Sequence, residues 1–220
     1  MLGSLMIVNC KTYQEGTGSS LLTIAKAAEE VTKKTGVLIV MAPQAVDISI
    51  LASKSRVPII TQHVDPDLPG QSTGAQIIES LKAAGACGSI VNHSERRLGE
   101  STIVQTLRRC QSQKFLSVLC AINNTEVAHF RPYDPDFIAV EPPDLIGGDV
   151  SVSTANPSLI KRSVKAAGKI PLLVGAGIKT SEDVQMAKSL GARGILIASG
   201  VIKAKDPKAS LTALVHGFLE

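Results

Sequence analysis

The stretch Val140-Glu141-Pro142-Pro143-Asp144-Leu145-Ile146-Gly147-Gly148 brings an acid to the end of an apolar run and sets two prolines behind it. Phe137-Ile138-Ala139-Val140 reads as a buried strand. A residue before proline favours extended backbone, so Glu141 is the last rigid residue of that strand and its carboxylate is well aimed. From Pro142 to Ala155 neither a helical nor a strand period appears, which leaves a loop of roughly 14 residues, long for a compact domain and of the kind that serves as a lid. An acid beneath a lid suits proton transfer. The same pattern also fits an acid that merely closes a strand.

Other groups fall at comparable places. Asn9 and Lys11 lie two apart at the end of the run Leu5 to Asn9, so both point to one side while Cys10 packs behind them. Alone they fit equally a strand cap and a surface charge. His93, in Val91-Asn92-His93-Ser94-Glu95-Arg96-Arg97, sits at the end of another apolar run; Ser94 is placed to cap the turn that follows. Nearby helix N–H groups would keep such a ring neutral. His63, His129 and His216 lack this company and read as structural or exposed. Two small-residue turns, Gly175-Ala176-Gly177 and Ala198-Ser199-Gly200, let main-chain N–H groups approach an anion.

These residues need a frame that brings distant segments to one face. Short apolar runs alternate with amphipathic stretches throughout, the pattern of repeated βα units. Strands are expected over Leu5 to Asn9, Val37 to Met41, Pro58 to Gln62, Gly88 to Asn92, Leu116 to Cys120, Phe137 to Val140, Leu172 to Gly175 and Gly194 to Ile197. Helices are expected near Ser20 to Lys33, from Ala45, Gln76 to Ala84, Glu100 to Gln113, from Thr125, Pro157 to Ala167, Ser181 to Leu190 and from Pro207. Asn156-Pro157 and Asp206-Pro207 carry a capping side chain before a first-turn proline, and Gly36, Gly85, Gly168 and Gly191 follow helical stretches. Eight such units without a linker indicate an α/β chain folded as one (β/α)8 barrel over residues 1–220, with a doubly wound sheet as the alternative. In a barrel the strand ends share one mouth, and the turns after the seventh and eighth strands are where phosphate commonly sits.

At 220 residues, 44% hydrophobic, the chain can fill a substantial core. Its net charge of +4, from 23 basic and 19 acidic residues, is spread without a basic block; it favours an anionic ligand weakly and nucleic acid little. Only 3% of residues are aromatic and tryptophan is absent, so no stacking platform for single strands exists. Cys10, Cys87, Cys110 and Cys120 show no metal-ligand spacing and read as buried free thiols in a reducing compartment. The opening Met1 to Val8 has no basic flank and is too short for a signal peptide or a membrane span, so a cytoplasmic protein is expected.

Taken in order, Asn9-x-Lys11, Asn92-His93-Ser94-Glu95-Arg96-Arg97, Glu141-Pro142-Pro143-Asp144-Leu145-Ile146-Gly147, Gly175-Ala176-Gly177 and Ala198-Ser199-Gly200 resemble the triosephosphate isomerase family, in its short archaeal-type branch. The resemblance spans the whole chain. It implies interconversion of dihydroxyacetone phosphate and glyceraldehyde 3-phosphate through an enediolate, in glycolysis and gluconeogenesis, with no cofactor and no metal. By matching position, Glu141 is the base, His93 the neutral electrophile, Lys11 the positive charge facing enediolate and phosphate, and Asn9 an orienting group. Glu95 would hold Lys11 in an ion pair, with Ser94 beside it, and phosphate would rest on main-chain N–H groups of Ile146, Gly147, Gly175 to Gly177 and Ala198 to Gly200. A homodimer is implied, or a tetramer where short helices in the fifth unit add an interface. Gln71-Ser72-Thr73-Gly74-Ala75 matches the interdigitating third loop, with Ala75 where many longer members carry an acid. Pro143-Asp144-Leu145 replaces their bulky aromatic lid segment. A sugar-phosphate epimerase, a tryptophan-pathway isomerase and a non-catalytic phosphate-binding oligomer are the competing readings.

Overall fold

The computed structural model describes residues 4–145 and 151–220. Among them, eight parallel strands, β1 (Leu5–Asn9), β2 (Leu38–Ala42), β3 (Ile60–Thr61), β4 (Gly88–Val91), β5 (Leu116–Ala121), β6 (Phe137–Val140), β7 (Leu172–Val174) and β8 (Gly194–Ile197), pair in the order β2-β1-β8-β7-β6-β5-β4-β3. The two ends of that order meet: Met41 bridges Ile59, and Met41 N–H donates to Pro58 at 2.9 Å. The sheet therefore curls into the expected barrel. β3 is shorter than the expected run from Pro58 to Gln62, because it lies at this closing seam and Pro58 has no N–H to give a ladder.

The strands sort their side chains by period two. Leu5, Ile7, Val40, Ile60, Ile90, Val118, Cys120, Ala139, Leu173 and Leu196 fill the barrel interior, while Met6, Val8, Ile39, Met41, Val91, Leu119, Ile138, Val140, Leu172 and Ile195 pack outward against helices. Each large apolar side chain so buried stabilises the fold by about 1.5–3 kcal/mol. The helical layer comprises α1 (Gly18–Thr35), α2 (Ile48–Lys54), α3 (Ile78–Ala84), α4 (Glu100–Ser112), α5 (Asn124–Phe130), α6 (Val152–Ala155), α7 (Pro157–Ala167), α8 (Ser181–Ser189), α9 (Ser199–Ile202) and α10 (Pro207–Leu219). The expected caps form: Asn156 accepts from Leu159 N–H and Asp206 from Ala209 N–H, each at 3.0 Å. Gly36 and Gly85 close α1 and α3 in the left-handed conformation. Among the described residues no helix is long and apolar enough to cross a membrane.

Three sequence expectations are corrected. The stretch Pro142 to Ala155 is not structureless at its ends, since Pro143–Leu145 makes a 3-10 turn and α6 forms beyond it. Each is a single turn, too short to show a period, and Ser151 starts α6 by accepting from Ser153 N–H. Cys87 is exposed, unlike the other three cysteines, because it precedes β4 at the open lower rim. Burial pushes the Cys10 and Cys110 thiols up to about 12, and Cys120 well above the usual thiol range, so these three act as packing groups. Ser94 caps nothing: α4 begins only at Glu100 after Gly99, and among the described residues the buried Ser94 hydroxyl has no hydrogen-bond partner.

Candidate active site

Parity along β1 and β6 delivers three polar groups to the upper mouth. Asn9 and Lys11 follow the inward residues Leu5 and Ile7, with Cys10 turned outward and fully buried; Glu141 follows the inward Ala139. Lys11 adopts φ 47°, an uncommon left-handed turn for a residue with a side chain. Its own N–H donates to the Asn9 side-chain oxygen at 3.0 Å, and the Gln62 side-chain amide donates to its carbonyl at 2.9 Å. The ammonium reaches Glu95 Oε1 at 2.6 Å. The amine is thereby held at backbone and tip together.

His93 is 7% exposed and lies across the mouth. Its Nδ1 accepts the Glu95 N–H at 3.2 Å, while the Glu95 carboxylate stays at 3.8 Å, beyond hydrogen-bond reach. A ring nitrogen that accepts an N–H carries no proton, so the imidazole is the neutral tautomer with its hydrogen on Nε2. The expected helix N–H groups are not the source; the donor belongs to the tight turn closed by Arg96 N–H on His93 O at 2.8 Å. Nε2 faces Glu141 Oε2 at 3.4 Å.

Glu141 is 6% exposed, and its Oε2 has no hydrogen-bond partner among the described residues. Burial drives its carboxyl above the usual carboxylate range, partly offset by His93, the Cys120 thiol and Lys11. An under-solvated carboxylate is a stronger base than one in water. The opposite wall is Gly175, where an added β-carbon would fall 2.4 Å from Glu141 Oε1. Only a residue without a side chain leaves the carboxylate its space.

Beyond Gly175, Ala176 and Gly177 take φ 70° and 71°, a left-handed pair that is uncommon for a residue with a side chain. Val152 N–H at the start of α6 donates to Ala176 O at 3.2 Å, tying the far end of the 142–155 stretch to this turn. Ala198 precedes α9, whose first N–H groups, at Ser199 and Gly200, have no partner within the helix, as in any helix start. One cavity is lined by Asn9, Lys11, Tyr13, His93, Glu141, Ala176, Gly177 and Ala198 to Gly200. It adjoins a hollow of about 300 Å³ that continues past Lys11 to Gln44, Gln62, His63 and Arg96. Of the sequence-derived residues, Asn9, Lys11, His93, Glu141, Gly177 and Ala198 to Gly200 share the first cavity and Glu95 lines the adjoining hollow; Gly175 and Ser94 line neither, and Ile146 and Gly147 lie outside the described residues. Sequence reasoning missed Tyr13, whose ring carries Lys203 Nζ at 4.5 Å from its centroid, and Gln62, whose amide joins Lys11 O to Ala42 O. A polar residue inside an expected strand end was the available signal for Gln62.

Among the described residues no cluster of His, Cys, Asp and Glu is arranged as a metal site. A family model described as triosephosphate isomerase matches residues 4–217. Curated triosephosphate isomerases are similar over nearly the full length of both chains. That of Methanothermus fervidus is 40% identical over 215 residues, covering 96% of this chain and 97% of its own. Those of Methanobrevibacter smithii and Methanosarcina acetivorans are each 41% identical with the same coverage.

Proposed function

This chain belongs to the triosephosphate isomerase family, and from that premise we propose that its mouth interconverts dihydroxyacetone phosphate and D-glyceraldehyde 3-phosphate, as a step of glycolysis and gluconeogenesis. The observation that carries the reading is the convergence of Lys11, His93 and Glu141 on one cavity flanked by the β7 and β8 turns. Glu141 takes a proton from the carbon beside the carbonyl and returns it to the neighbouring carbon, forming and collapsing an enediolate. His93 donates from Nε2 to the oxygen where negative charge grows. Lys11 stabilises that charge, and Asn9 orients the oxygens. A positioned base contributes roughly 10²–10⁴-fold, and donors aimed at the oxyanion must supply much of the rest. The phosphate lies against Gly175 to Gly177 and Ala198 to Gly200, with Ile146 and Gly147 assigned to it by resemblance.

The domain is taken as one barrel over 1–220, in the cytoplasm, where unpaired cysteines persist. A homodimer is the assembly proposed, with a tetramer as the larger alternative; the exposed apolar groups Val46, Ile50 and Leu68 on the mouth side support a covered face. The test is a coupled assay of glyceraldehyde 3-phosphate conversion by purified protein after exhaustive chelation. Turnover is expected. Failure to convert the triose phosphate, or recovery only on adding a divalent metal, would overturn the reading in favour of an inert or metal-dependent barrel.

A further inference from the structure

Side-chain parity along β4 sends His93 the wrong way. Ile90 faces the barrel interior and Val91 packs outward, so continued alternation would turn Asn92 inward and His93 outward, away from substrate. Yet His93 lines the cavity with Lys11 and Glu141. The break occurs at Asn92, whose φ of 62° lies in the left-handed region. Asparagine tolerates that region better than most side chains, but glycine would suffice if only the turn were needed.

The Asn92 side chain does more than tolerate the turn. It is 1% exposed, and both ends of its amide are engaged: Nδ2 donates to Cys120 O at 3.1 Å and Oδ1 accepts from Leu98 N–H at 3.0 Å. One bond closes the 92–98 loop on itself. The other pins the loop to β5, one residue from Ala121, whose carbonyl accepts the Glu141 N–H at 2.9 Å. On the solvent side Arg97 grips Glu126, which also accepts Ile122 N–H at 2.7 Å.

We infer that Asn92 is a positioning residue for the isomerisation. Its left-handed backbone turns His93 into the mouth, and its amide locks the loop so that Nδ1 stays on the Glu95 N–H and Nε2 faces the reacting oxygen. The inference rests on the reading of His93 as the carbonyl-polarising group.

Asn92→Gly keeps the backbone freedom and deletes the amide. Asn92→Asp keeps the acceptor for Leu98 N–H but sets a carboxylate oxygen against the Cys120 carbonyl. In both, kcat should fall by about 10–100-fold with KM within about twofold, since small misplacements of a reacting group cost on that order. The ¹⁵N signals of the His93 imidazole should lose the single Nε2–H tautomer of the wild type. Folded variants that keep kcat within about twofold of wild type, or lose kcat with an unchanged imidazole signature, would overturn the inference; so would failure of both to fold, which makes Asn92 a residue of the fold only. Failure of the isomerase reading shows separately, as wild-type protein that converts no triose phosphate.

Discussion

The half of the mouth formed by β1, β4 and β6 presents ionisable side chains, whereas the half formed by β7 and β8 presents main chain. On the first side an amine, an imidazole and a carboxylate are each held by a second group: Glu95 on Lys11, the Glu95 N–H on His93, and the β5 edge behind Glu141. On the other, what matters is the absence of side chains, in Gly175 and Gly177, and peptide groups turned by positive φ. The first half can change protonation state and therefore move protons. The second cannot, which suits it to a group that must be held but left unreacted. Gly175 belongs to both, since it leads into the turn at Ala176 and Gly177 and makes room for the Glu141 carboxylate.

Substitutions should separate the halves by which kinetic constant they move. The largest effect is expected for Glu141→Gln, with kcat lower by about 10³-fold and KM within about threefold; steady-state kinetics showing wild-type kcat would remove Glu141 as base. Gly175→Ala comes next. Its β-carbon would collide with the Glu141 carboxylate, so kcat should drop by about 10²-fold through misplacement of the base, and a change confined to KM would show that the two halves are independent at this point. Gly177→Val, a β-branched side chain forced onto φ 71°, should raise KM about tenfold while kcat changes by less than about threefold. Equal losses in both constants would blur the division proposed here.

The smallest effects follow from pH. Because burial raises the Glu141 carboxyl in the folded chain, kcat/KM should decline as pH falls through that raised value, at a pH above the usual carboxylate range. Stability runs the other way. A raised folded value favours the neutral acid, so its contribution is full in acid and is lost as pH rises through the folded value. Glu141→Gln should therefore raise Tm near neutral pH, and the gain should vanish in acid. Calorimetry at the two pH values checks the sign.

Strands were legible because burial on both faces leaves unbroken apolar runs, and helix ends because Asn156, Asp206 and the glycines cap by local chemistry. The charged half of the site was legible as residue types at strand ends. His93 was found by its place in a motif, but simple alternation would have excluded it, since the left-handed turn at Asn92 leaves no periodic trace. Gln62 and Tyr13 were overlooked for a related reason: their contacts reach between elements far apart in sequence. The short helices α6 and α9, one turn each, depend on tertiary partners and a Ser or Ala start rather than on amphipathic pattern.

The join between β2 and β3 rests on one bridge where other neighbours share a ladder of two or more residue pairs. Gln62 spans the same gap, its amide donating at once to Ala42 and to Lys11. A glutamine head group thus serves as a stitch in place of missing rungs, and the thread passes through the residue that carries the amine. Whatever holds the wall shut at this join therefore also holds the backbone from which the Lys11 amine reaches out.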